Sequence, residues 1–243
     1  MARTLRNAVS AAMICCALAA NMAVAAGINL SWNDCGSAGT DCLTFACDAN
    51  TGPEFAFVGS FVPPPGVTAP QYMEAHVRII SDAAPGSLPD WWRVGSLTEC
   101  RGFSLQADTL FGTTCANVLR GAVFLPAFSY SANSPVMGEA SMVVSVLFPE
   151  LAPPLDPGVE HYAFMMHFDR AKTTGPGACA GCDVGVQIVL NHIDIFQDPA
   201  VQVEPVVVDQ YMKSNKIGWN NPAYCFWTPT KRSSWGQVRS LYR

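Results

Sequence analysis

The chain has 243 residues, half of them hydrophobic and only 14% charged, with a formal net charge of −5. That length suits one large domain with an ample core, and the acidic balance argues against a nucleic-acid partner. After the N-terminal segment no apolar run of about 18 residues follows that would cross a bilayer as a helix.

Residues 1–26 read as a bacterial secretory signal. Arg3 and Arg6 supply the positive start, Ala8 to Ala20 form a short apolar run, and Ala23, Ala25 and Ala26 offer small residues at a cleavage point. Neither Cys15 nor Cys16 follows the small residue that lipid attachment requires. The expected product is exported, cut and released to the medium, the cell surface or the periplasm. Cleavage removes two of the 14 basic residues and leaves 12 against 19 acidic ones, a net −7. Residues 27–209 carry all 19 acids, whereas 210–243 hold six basic residues and no acid.

The body is a series of short Val-, Ile- and Phe-rich segments separated by Gly, Pro, Asn and Asp, with almost no helical periodicity. Strands are predicted at 28–32, 54–62, 73–81, 103–109, 119–125, 141–148, 160–169, 186–196 and 201–208, with Pro205 breaking the last. That spacing predicts an all-β fold, an antiparallel β-sandwich of jelly-roll or immunoglobulin-like kind, over residues 27–209. Residues 210–243 form a basic, aromatic C-terminal tail. Within it 233–243 reads as a short helix, with Trp235, Val238 and Leu241 or Tyr242 on one face and Arg239 and Arg243 near its end.

Eight cysteines remain after cleavage: Cys35, Cys42, Cys47, Cys100, Cys115, Cys179, Cys182 and Cys225. An even count in an exported chain reads as a disulfide framework. Spacing favours Cys100 with Cys115, Cys179 with Cys182 across a turn, and two of Cys35, Cys42 and Cys47 together, the third reaching Cys225. The Cys179-Ala180-Gly181-Cys182 motif lacks both the βαβ context of a redox site and the following histidine of a haem site, so it reads as structural.

Catalytic signatures are missing from the pattern. No Gly-x-Ser-x-Gly occurs, and no pair of carboxylates is tied together, although Asp169, Asp183 and Asp194 supply candidates for a glycosidase pair. On 160–169, His161, Met165 and His167 alternate onto one face, with His192 as a further donor for copper. However, His161 and His167 lie about 20 Å apart along a strand, too far for one ion. Asn33, Asp34, Asp48 and Asn50 offer oxygen donors for calcium without a calcium-loop spacing. Neither metal is assigned, and no cofactor is required. Asp90-Trp91-Trp92-Arg93 follows Pro89, so two indoles and a guanidinium beside a turn form the candidate ligand-binding site, of the kind that stacks on sugars.

Several blocks resemble uncharacterised secreted proteins predicted from environmental bacteria. They are Gly27 to Cys35, Thr44 to Asp48, Val58 to Pro64, Leu88 to Trp92, Cys100-Arg101, Ala178 to Cys182 with Ile188 to Asn191, and the ending Trp235 to Arg243. The resemblance implies an exported all-β domain of no known activity. Cys42 and Cys225 look like additions to the shared pattern, which pairs them with each other. The shared ending implies an attachment or sorting role for Trp235, Arg239, Leu241, Tyr242 and Arg243. Together these readings predict a secreted or surface protein that binds or builds rather than catalyses. Its partner would be an extracellular carbohydrate or envelope component, or a protein, itself included. A secreted carbohydrate-active hydrolase is the alternative, and a copper or calcium protein the weaker one.

Overall fold

A computed structural model of the chain describes residues 26–36, 38–83, 86–108, 112–119, 127–150 and 152–221. The signal segment before residue 26, most of the strand predicted at 119–125, Cys225, and the C-terminal helix with Trp235, Arg239, Leu241, Tyr242 and Arg243 lie outside them.

The described chain is a β-sandwich. One sheet has the order β1 (Gly27–Trp32), β3 (Phe55–Val62), β8 (His161–Phe168), β5 (Leu105–Asp108), antiparallel throughout. The larger sheet runs β2 (Cys42–Leu43), β11 (Lys216–Trp219), β9 (Val186–Gln197), β4 (Pro70–Ser81), β7 (Glu139–Leu147), β6 (Ala127–Ala132), with β10 (Val206–Val208) also on β9. Among the described strands of this sheet, the two-residue contact of β2 with β11 is parallel and the others are antiparallel.

The two sheets differ in how they meet water, and their sequences say so. β1 and β3 are buried at every position and β8 at all but His167, so they read as near-continuous apolar runs. β4, β7 and β9 alternate, with Met73, Ala75, Val77, Ile79, Met142, Val144, Ile188, Leu190, Ile193 and Ile195 in the core. Their intervening residues form an outer face.

The expected boundary at 209 does not divide body from tail. β10 lies along Ile193–Ile195 and β11 along Val186–Val189, on the edge of β9 opposite β4. Between them the chain crosses to the small sheet. Ile28 N–H donates to the Gln210 carbonyl (2.6 Å), Met212 N–H to Ile28 (3.0 Å) and Leu30 N–H to Ser214 (2.8 Å). Residues 210–214 thus satisfy the backbone of β1 that would otherwise be an open edge, and 210–219 belongs to the sandwich.

The disulfides are not the local ones that spacing favours. Cys35 pairs with Cys115, Cys47 with Cys182 and Cys100 with Cys179. Each joins segments 79 or more residues apart. The Cys179–Cys182 turn therefore sends its two sulfurs to two different loops. Gly181, at φ +91°, makes that possible, because a Cβ there would meet the Pro89 ring. Cys42 is also disulfide-bonded.

Candidate functional site

The indoles singled out by sequence are interior. Trp91 and Trp92 sit on a 3₁₀ turn (Asp90–Trp92), and both are fully buried. Trp91 stacks on Trp219 at 5.0 Å between ring centroids, and Trp92 meets Phe168 edge-on at 5.3 Å. Trp219 also contacts Trp32, Phe45 and Phe55. Trp219 Nε1–H donates to the Cys182 carbonyl and Trp32 Nε1–H to the Gly218 carbonyl. A surface platform for sugars is therefore not what Trp91 and Trp92 form. An aromatic pair beside a proline turn carries no signal of which side of the turn faces solvent. Here the turn is fixed to the cysteine turn by the Trp91 N–H, which donates to the Ala180 carbonyl at 2.9 Å, and both rings point into the core.

Arg93 remains half-exposed and pairs with Asp90 at 3.2 Å and Glu99 at 4.0 Å. The buried cation of this region is Arg101. Its guanidinium lies 3.7 Å over the Trp91 ring and donates to the carbonyls of Trp91, Ala171 and Asp169 and to the Asp169 carboxylate. Burial lowers its pKa to about 10 against the pull of Asp169, so it stays charged at neutral pH. Trp92 Nε1 and Arg93 Nε are buried without a hydrogen-bond partner, and the remaining polar groups named here are engaged by the fold.

The predicted metal donors are likewise dispersed. His161 is buried against Phe61, its Nε2 hydrogen-bonded with the Asp156 carbonyl at 3.1 Å. A carbonyl only accepts, so Nε2 carries the proton and Nδ1, which has no partner, carries none. Burial lowers the pKa of this imidazole, with the Asp156 carbonyl opposing. His167 faces Glu54 and Asp108, and Met165 is buried. Asp34 accepts from Cys35 and Thr114, whereas Asn50 accepts from Thr173 and Thr174, so these two oxygen donors serve separate loops.

The arrangement that alternation along single strands does not reveal lies on the outer face of the large sheet. There β4 and β9 set like against like in register: Tyr72 opposite Phe196, Glu74 opposite Asp194 and His76 opposite His192. The first pair stacks at 4.1 Å and 7°, and the imidazoles stack at 4.2 Å and 18°. His192 reaches this face through a bulge. The register passes from His76↔His192 to Val77↔Leu190, leaving Asn191 without an opposite residue. Plain alternation from Ile188 and Leu190 would turn His192 inward, and the extra residue turns it out. His192 thus joins His76, not His161 or His167 as the sequence allowed. Arg78, next on the outer face of β4, gives its guanidinium to Glu139 on β7.

No protein-family model, no curated protein and no solved structure matches the chain. The roles of these residues rest on their geometry.

Proposed function

We propose that the chain is an exported, non-catalytic binding protein, and that it meets a protein partner through the outer face of the large sheet. The observation that carries this reading is the row Tyr72/Phe196, Glu74/Asp194, His76/His192, half-exposed across the two central strands. Polar alternation at the centre of a sheet needs only solubility. Three matched pairs of reactive or aromatic side chains go beyond that need. A protein suits the face better than a glycan, because Tyr72 and Phe196 turn their faces to each other and every indole among the described residues is interior. Export is supported by the N-terminal signal pattern and by cysteines joined into disulfides across the fold. No helix among the described residues is long and apolar enough to cross a membrane. The terminal residues Trp235 to Arg243 would add an attachment function.

Two measurements test the reading. N-terminal sequencing of the extracytoplasmic protein is expected to begin at residue 26 or 27. Co-sedimentation with cell envelopes, together with analytical ultracentrifugation for self-association, is expected to weaken in Tyr72→Ser/Phe196→Ser. A Phe128→Ser change on β6 is expected to leave both intact. Binding indifferent to the β4–β9 face would remove the reading. Glycan-array binding that depends on that face would reassign its partner to carbohydrate.

A further inference from the structure

We infer that His76, His192 and Asp194 form a binding site for one late first-row transition-metal dication, with a coordination position left open toward solvent. This goes beyond the partner-binding reading and does not depend on it. One ligand atom from each residue lies within 4.8 Å of the others. The Asp194 Oδ2 oxygen is 3.5 Å from His76 Nε2 and 3.6 Å from His192 Nε2. Ligand atoms held by a tetrahedral ion at bond lengths of about 2.0–2.1 Å stand about 3.3 Å apart. The two carboxylate–imidazole separations are within a few tenths of an ångström of that value, whereas the stacked imidazoles must turn for both nitrogens to close on one ion.

A second observation points to the same occupant. His76 Nε2 is buried and makes no hydrogen bond, although a carboxylate oxygen sits 3.5 Å away. Buried polar atoms are normally paired. A buried ring nitrogen that the fold leaves without a hydrogen bond, beside a second imidazole and a carboxylate, is a donor that a metal can take. Glu74 Oε2, 4.0 Å from His76 Nε2, adds a second negative charge beside the site. The nearest cation along β4, Arg78, is already compensated by Glu139.

The donor set selects the ion. Two imidazole nitrogens and a carboxylate suit Cu2+ and Zn2+, with Cu2+ the tighter. They do not suit Ca2+ or Mg2+, which require shells of oxygen. Three protein donors on the face of a sheet leave the outward position to water or to a donor from another molecule, the pattern of open rather than closed sites.

Titration calorimetry of the full chain without a polyhistidine tag, with Zn2+ and with Cu2+, tests the assignment. The expected result is one ion per chain, with Ca2+ not competing. His76→Gln and His192→Gln are each expected to weaken Zn2+ binding more than tenfold. Glu74→Gln should weaken it less than tenfold, and His161→Gln not at all. The electron paramagnetic resonance spectrum of the Cu2+ form should carry two nitrogen donors and lose one in each single histidine variant. Circular dichroism of each apo variant guards against misfolding. Failure of the folded wild type to bind either ion, or binding unchanged in the His76→Gln/His192→Gln protein, overturns the assignment.

Discussion

Two regions of this molecule concentrate aromatic and ionisable side chains, and they use them in opposite ways. At one end of the sandwich Trp32, Trp91, Trp92 and Trp219 are fully buried. Two disulfides reach the same region, Cys47–Cys182 and Cys100–Cys179, and Arg101 spends its guanidinium on backbone carbonyls. On the outer face of the large sheet, Glu74, His76, His192 and Asp194 are half-exposed, and His76 Nε2 remains without a hydrogen bond. The aromatic end is closed to solvent, Trp92 Nε1 included, which also lacks a hydrogen-bond partner, whereas the ionisable groups of the outer face stand half-exposed within reach of another molecule.

The contrast breaks first, and hardest, at the aromatic end. Trp219→Ala removes a ring that contacts five others, and urea unfolding should show a loss of about 4 kcal/mol. Arg101→Met leaves three carbonyls and Asp169 unmatched and should cost about 3 kcal/mol. Replacing Cys47 and Cys182 by alanine frees a loop closed across 135 residues and should cost about 3 kcal/mol by the same measurement.

A smaller effect separates His161 from the outer histidines. Its folded-state pKa is lowered by burial from the ordinary 6.5, so the unfolded chain takes up the proton first. Stability from the neutral ring is complete above that value and falls as pH drops through it toward the lower folded value. The slope reaches at most about 1.4 kcal/mol per pH unit. His161→Gln should remove this component of the pH dependence in urea melts, and equal slopes in the two proteins would refute it.

Sequence reading reached the sandwich because period-2 patterning and turn residues are local. β3, β4, β7, β8 and β9 fall within three residues of their predicted limits, and the strand weakened by Pro205 survives only as Val206–Val208. β2, β6 and β11 escaped. Two residues make no pattern, the Ala127–Ala132 stretch is too polar, and Lys216–Trp219 sits among residues of loop composition. The disulfides escaped because they are set by which loops meet across the sandwich, a property of topology. The His76–His192 pair escaped for a sharper reason. It depends on register between strands more than a hundred residues apart and on a bulge at Asn191, and strict alternation places His192 on the wrong face.

The claim that one region serves the fold and the other a ligand is tested most directly by a single urea series. Wild type and His76→Gln/His192→Gln would be unfolded with a chelator and with Zn2+. In chelator the two proteins should differ by less than about 1 kcal/mol, as half-exposed surface changes do. Zn2+ should then stabilise only the wild type, by an amount that grows with its concentration. A double variant as unstable in chelator as Trp219→Ala, or one that Zn2+ stabilises as much as the wild type, would contradict it.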